Sequence, residues 1–373
     1  MNFTFNTPTK IFFGLNEFKN LGNISKRLGF RCLIVTGKTF MKKYGYLDEA
    51  KKMLEACSIK TFIFDQISND AKSSEVNLGS EICKKEKIDF ILALGGGSAI
   101  DGAKAISVGF DIENIEPLIG TELKDNKNSL PLIAVPTTAG TGSEVTKGAI
   151  ITDVKKNFKS GVRGTQVFPA IAIVDPVLSM SMSDDVAATT GFDAFTHLFE
   201  SFLAKKSNLL TDMIAVNGLK IILKYLPQVF SKPKDENIRS KICYAALLGG
   251  INVGNASTCL PHRLQQAMGS VPTIHQPHAK GLAALYPAWT KEVYKFTENK
   301  LEYLKNQLNE KDEKVVFIER FMDEIGVKNK LSEYNVKKDD ISIFIKNISG
   351  NLENDPIQNK NNTLFEKIYI NSL

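Results

Sequence analysis

The chain has 373 residues, 43% of them hydrophobic, with 47 basic and 41 acidic side chains and a formal net charge of +6. That is enough apolar material for two ordinary domains, each with its own core, and it excludes a fibrous or tail-like protein. The lysines lie in helical stretches beside acidic neighbours, as from Lys291 to Lys346, without interleaved aromatics, which describes a solvated face and excludes a nucleic-acid footprint.

The opening MNFTFNTPTKIFFG has no basic start followed by an apolar run, and no later stretch is apolar for long enough to cross a bilayer. Cys32, Cys57, Cys83, Cys243 and Cys259 are widely separated with no CxxC pair, which reads as reduced thiols. A soluble, unexported, cytoplasmic protein with no membrane partner is expected. Further along, RCLIVTG, KTFIFDQ, DFILALG, LPLIAVP and AIAIVDP are apolar runs stopped by Gly, Pro or Asp, and they predict buried parallel strands. Between them, YLDEAKKMLEAC and SSEVNLGSEICKKEK have helical spacing. This is the βαβ pattern of an open α/β sheet. After Asp175-Pro176 the strand signals stop. From Asp185 onward the chain reads as helix, broken at Pro227, Pro233, Gly269 and Pro277, with NLENDPIQNKNNT as a polar loop before a last short helix. A boundary near residue 180 follows, and there is no internal repeat.

Two glycine-rich turns follow strands in the first half. In DFILALGGGSAIDGAKAI the strand runs into Gly95, Gly96, Gly97 and Ser98, and a helix begins at once. Glycines let backbone approach a phosphate, and exposed N–H groups at a helix start bind anions. A plain strand-to-helix turn would use the same residues. The second turn, LPLIAVPTTAGTGSEVT, groups the hydroxyls of Thr137, Thr138 and Thr141; the plain alternative is a polar loop with a helix cap at Ser143. Two such loops at the carboxyl ends of strands favour a dinucleotide in the crevice beside them. The pattern is not GxGxxG, so the usual rule for an acidic ribose partner does not transfer.

All four histidines fall into two short stretches. In GFDAFTHLFE, Asp193 and His197 are four apart and share one helix face. The second stretch runs from His262 through His275 to His278. Three neutral imidazoles and a carboxylate suit a divalent transition metal, whereas an isolated DxxxH is more often a helix-surface pair.

GGGSAID, PTTAGTGSEVT, the strand ending VDP, GFDAFTHLFE, and PHRLQQAMG followed by QPHAKGLAALYP resemble the iron-containing (group III) alcohol dehydrogenases in order and rough spacing. NTPTKIFFG resembles that family's first strand, so the similarity covers nearly the whole chain. It implies an α/β plus all-α architecture of the dehydroquinate synthase-like kind. A Rossmann-like dinucleotide-binding domain would span 1–180 and an all-helical metal- and substrate-binding domain 181–373. Metal and substrate would lie in the cleft between them.

Residue by residue, the resemblance implies Asp193, His197, His262 and His278 as metal ligands. His275 competes for the fourth place. His278 is preferred because AKGLAALYP after it keeps the family register, which leaves His275 as a nearby polar residue or proton relay. Where the family commonly has a second histidine four residues after the third ligand, this chain has Gln266, which cannot titrate. Proton delivery then falls to water, His275 or a cofactor hydroxyl, so His275 and Gln266 are the catalytic candidates. Gly96, Gly97 and Ser98 match pyrophosphate-holding positions, and Asp101 belongs to the same motif. Thr137, Thr138 and Thr141 match the nicotinamide side, Lys159 and Leu178 match further cofactor contacts, and Asp70 stands where many relatives carry asparagine. Gly37 replaces the aspartate of NAD-preferring relatives and is followed by Lys38, which favours NADP(H) over NAD(H).

The activity so implied is hydride transfer between NAD(P)H and a small aldehyde or primary alcohol, with Fe²⁺, or Zn²⁺ in its place, polarising the oxygen. A homodimer or larger homo-oligomer is expected. Arg263, Lys280 and Arg163 suggest an anionic aldehyde, such as phosphonoacetaldehyde or a semialdehyde, as an alternative substrate. Two other classes are a dehydroquinate synthase-like lyase, against which the DxxxH pair argues, and a non-catalytic nucleotide-binding protein, motivated by Gln266.

Overall fold

The structure, a computed structural model, describes residues 2–373. Its strands are β1 (Lys10–Phe13), β2 (Arg31–Gly37), β3 (Lys60–Ile67), β4 (Phe90–Gly95), β5 (Leu132–Pro136), β6 (Gly148–Asp153), β7 (Phe158–Arg163) and β8 (Ile171–Val174). Six of them form one sheet in the order β1-β8-β5-β4-β2-β3, every neighbouring pair parallel. The central β4 and β5 are buried along their whole length, as their uncharged sequences require. KTFIFDQ differs from expectation. It is β3, an edge strand, and is exposed at several positions because only one side of it has a hydrogen-bonded neighbour. The antiparallel ribbon of β6 and β7 was not legible as strand, since VTKGAIITDVKKNFKSGVRG alternates and carries no continuous apolar run.

Helices α1 (Leu21–Ser25), α2 (Phe40–Lys43), α3 (Tyr46–Glu55), α4 (Ser73–Glu86) and α5 (Gly97–Gly109) accompany the sheet. After β8 come α6 (Pro176–Ser179), α7 (Asp184–Leu203), α8 (Leu209–Ser231), α9 (Glu236–Ala256), α10 (Leu260–Met268), α11 (His278–Leu308), α12 (Val316–Glu324), α13 (Ile341–Lys346) and α14 (Asn362–Ile370). Ser183, Asn208 and Asp235 accept backbone N–H bonds and start α7, α8 and α9. Pro233, Gly269 and Pro277 fall between helices, but Pro227 lies inside α8. The expected break there is absent because Leu226 and Val229 beside it are fully buried, and that packing outweighs the lost backbone bond. No helix among the described residues is long and apolar enough to cross a membrane, and all five cysteines are free thiols.

The threonine-rich loop after β5 lies directly on the helical half. Gly142 has φ +61°, and a Cβ there would stand 2.4 Å from Gly250 Cα in α9. The reverse also holds: a Cβ on Gly250 would stand 2.4 Å from the Gly142 carbonyl oxygen. Gly250→Ala therefore opposes two effects. Alanine favours a helix interior by about 1 kcal/mol, whereas overpacking against unyielding backbone costs about 1–3 kcal/mol. The clash should win, and thermal unfolding should show a lower Tm. A Tm equal to or above the parent's would show that this close approach is dispensable.

Candidate active site

Three helices converge on one carboxylate oxygen. Asp193 and His197 lie one turn apart on α7, His262 is in the first turn of α10, and His278 begins α11 behind the Pro277 cap. Asp355 fixes the start of α10 by accepting the Leu260 N–H at 2.9 Å and also takes the Trp289 indole N–H at 3.0 Å. From Asp193 Oδ1, the Nε2 atoms of His197, His262 and His278 stand at 3.7, 3.8 and 3.6 Å. Asp193, His262 and His278 form the tightest trio, with donor atoms within 4.8 Å of one another; His197 stands outside that trio while sharing the aspartate.

These separations are too long for hydrogen bonds, and Asp193 Oδ1 and His262 Nε2 are buried without any partner. Ligand bonds of about 2.0–2.2 Å around one ion place neighbouring donors about 3.2–3.6 Å apart. The orphaned donors thus fit one divalent metal. Burial pulls His262 well below its ordinary value, so its imidazole is neutral near pH 7 and offers the lone pair a metal needs, and His278, a third exposed, is shifted in the same direction.

Two supporting residues went unnoticed in the sequence. Both Glu200 oxygens lie 2.9 Å from His262 Nδ1, and Glu200 Oε2 accepts the Cys259 N–H at 2.7 Å. His278 Nδ1 meets Gln265 Oε1 at 2.5 Å. Each contact fixes a ring so that Nε2 faces Asp193. Spacing could have found them: Glu200 follows Asp193 by seven on α7, and Gln265 follows His262 by three on α10, so each shares a helix face with a ligand. Gln266 is buried with its Oε1 unpartnered, whereas His275 is exposed on the loop before α11 and lies outside the metal group.

The residues expected to hold a cofactor line the carboxyl ends of adjacent strands, where open α/β sheets bind ligands. Gly37 ends β2, Asp70 follows β3, Gly96 and Gly97 follow β4, and Thr137, Thr138 and Thr141 follow β5. The two turns touch. A Cβ on Gly96 would meet Thr138 at 3.3 Å, and one on Gly97 would meet Thr141 at 2.5 Å. Ser98 Oγ donates to the Asn69 carbonyl. Lys159 Nζ reaches Asp70 at 2.5 Å, while its stem abuts Gly269 just beyond α10, which joins the ribbon to the metal-bearing half. Lys38 is exposed and makes no ion pair among the described residues.

Other candidates are taken up by the protein itself. Asp101 accepts Ser143 Oγ at 2.5 Å and Ile150 N at 3.0 Å, one with each oxygen, so it braces the threonine loop instead of presenting a free carboxylate. Ser143 is correspondingly no helix cap. Its hydroxyl is held by Asp101 and by the buried Lys104, whose Nζ also donates to the Ser143 carbonyl at 2.9 Å. Leu178, 2% exposed, packs in the sheet core. Lys280 pairs with Asp185 at 2.7 Å near the surface.

Residues 8–176 match the family model described as iron-containing alcohol dehydrogenase, and residues 187–369 match the C-terminal model of the Fe-containing alcohol dehydrogenase family. Over 287 residues, 76% of this chain and 70% of the relative, the sequence is 33% identical to choline dehydrogenase of Bacillus subtilis (strain 168). It is 28% identical over 354 residues, 91% of each chain, to NAD-dependent methanol dehydrogenase of Bacillus methanolicus. An archaeal halo-thermophilic alcohol dehydrogenase from a Red Sea brine pool superposes with a TM-score of 0.93 at 27% identity, covering 100% of this chain and 99% of that one.

Proposed function

The chain belongs to the iron-containing alcohol dehydrogenase family, and from that premise we propose that it interconverts a small primary alcohol and its aldehyde. The observation that carries this reading is the buried, unpartnered Asp193 Oδ1 facing three imidazole Nε2 atoms. Asp193, His197, His262 and His278 would hold the metal, with Glu200 and Gln265 keeping two of the rings in place. When bound, the metal supplies a Lewis acid for the substrate oxygen and the nicotinamide supplies the hydride carrier.

The chain's own residues do the rest. Backbone N–H groups at the Gly96–Ser98 start of α5 would hold the pyrophosphate, and Thr137, Thr138 and Thr141 would line the nicotinamide side. Gln266 offers a buried amide oxygen to a substrate hydroxyl but cannot carry its proton away. The proton therefore leaves through water, the exposed His275 or a cofactor hydroxyl. Lys38 beside Gly37 attracts a 2′-phosphate with no carboxylate to repel it, which favours NADP(H). Fe²⁺ is the metal the family description supports, and nitrogen and oxygen donors accept Zn²⁺ as well.

Elemental analysis of protein purified without oxygen, paired with NADPH and NADH titrations on butanal, tests the reading. About one equivalent of iron or zinc per chain and metal-dependent NADPH oxidation are expected. Bound cofactor without turnover of any short aldehyde, metal supplied, would replace it with a non-catalytic nucleotide-binding role. A strong preference for NADH overturns the part assigned to Gly37 and Lys38.

A further inference from the structure

Where the β6–β7 ribbon meets α10, the buried Arg263 and the half-buried Arg163 have no carboxylate within ion-pair distance among the described residues, Glu200 acting on the first and Glu122 on the second only from farther off. Arg263 is only 6% exposed; its Nη2 donates to Ser257 Oγ at 3.2 Å, and its Nε is a buried donor with no acceptor. Burial lowers its guanidinium to about 10, so it stays cationic near neutral pH. Arg163, at the end of β7, donates from Nη1 to the Gly161 carbonyl at 3.1 Å, and its charge acts on Arg263. Neither forms an ion pair among the described residues.

The surroundings are built around this pair. Ser257, which ends α9, holds φ 64° and ψ −177°, a region occupied almost only by glycine, and so keeps its hydroxyl on Arg263. The Ser349–Gly350 turn closes the other side. Ser349 Oγ lies 3.4 Å from Ser160 Oγ on β7, and a Cβ on Gly350, where φ is +91°, would crowd Arg263 Cδ and Nε at 3.1 Å. A buried guanidinium with an unsatisfied Nε and a second cation acting on it is unfavourable, and an anion taken up by both lowers the penalty. Guanidinium forks match planar or tetrahedral oxyanions in particular.

We propose that Arg163 and Arg263, with Ser257, hold one small oxyanion, a phosphate, sulfonate or carboxylate group, where β7, α10 and the Ser349–Gly350 turn meet. Two sources share that chemistry: a free inorganic anion, or the acidic end of a substrate whose carbonyl reaches the metal, since Glu200, which lies 2.9 Å from His262 Nδ1, is also the carboxylate that acts on Arg263. The second source rests on the dehydrogenase reading; the first does not.

The test uses the metal-loaded protein in anion-poor buffer, titrated with sodium phosphate against sodium chloride at constant ionic strength, with calorimetry and Tm as readouts. The parent should show saturable, phosphate-specific binding, at least ten-fold weaker in Arg163→Met and Arg263→Met, with Arg163→Lys between. Without phosphate, Arg263→Met should be as stable as the parent or more so, because a buried unpaired charge is gone. Comparing kcat/KM for succinic semialdehyde and butanal in Arg163→Met separates the sources. A ten-fold loss confined to the semialdehyde assigns the anion to substrate, and equal turnover with phosphate binding abolished assigns it to a free ion. The proposal falls if phosphate binding survives both methionine variants, or if neither phosphate binding nor a selective loss is found. Phosphate binding without turnover of any aldehyde would sink only the dehydrogenase reading.

Discussion

Asp193→Ala should strip the protein of its metal and lower turnover of short aldehydes by about a thousand-fold or more, the scale of several kcal/mol of charge stabilisation. Asp193 is the one anionic donor in the group, and its Oδ1 lies within 3.8 Å of all three Nε2 atoms, so its loss removes both the charge and the common vertex. Asn in its place keeps the shape and loses the charge, and should retain an intermediate amount of metal. The metal-free variant should unfold no earlier than the metal-free parent, because a 2% exposed carboxylate with an unpartnered oxygen costs desolvation and gains little. His275→Ala, by contrast, should leave metal content unchanged, since that side chain is exposed and outside the group. Elemental analysis with kcat on butanal decides: an Asp193→Ala protein that keeps one ion and parental turnover would end the metal assignment.

How legible all this was in the sequence varies with its physical cause. Strands β2, β4, β5 and β8 announced themselves because a parallel strand covered on both faces must be apolar throughout. The β6–β7 ribbon did not, since its alternating pattern is shared by exposed loops rich in Lys and Gly. Pro227 misled because proline reports a local penalty, while the fully buried Leu226 and Val229 beside it hold the helix in place. Asp193 and the histidines stood out by type and spacing. Asp101 and Leu178 were read only by motif position, and the structure uses one to brace a loop and the other to fill a core. Contacts that depend on three-dimensional approach, such as Gly142 against Gly250, leave no local pattern at all.

Glu200 yields the second large effect, and its size follows from burial. Its carboxylate receives two buried donors at once, His262 Nδ1 and the Cys259 N–H, and its side chain is fully buried. In Glu200→Gln a single amide oxygen must serve both donors while the new NH₂ faces one of them. One buried N–H is then left unpaired, at about 1–3 kcal/mol, and the His262 ring is no longer fixed. Metal affinity, measured by competition with a chelator, should fall about 10–100-fold. Gln265→Ala supplies the contrast. It removes the partner of His278 Nδ1, but the His278 side chain is 33% exposed, so water can take over the bond. The loss there should be a few-fold at most. If the two substitutions weaken metal binding equally, burial is not what sets the strength of these supporting contacts, and the ranking drawn from it fails.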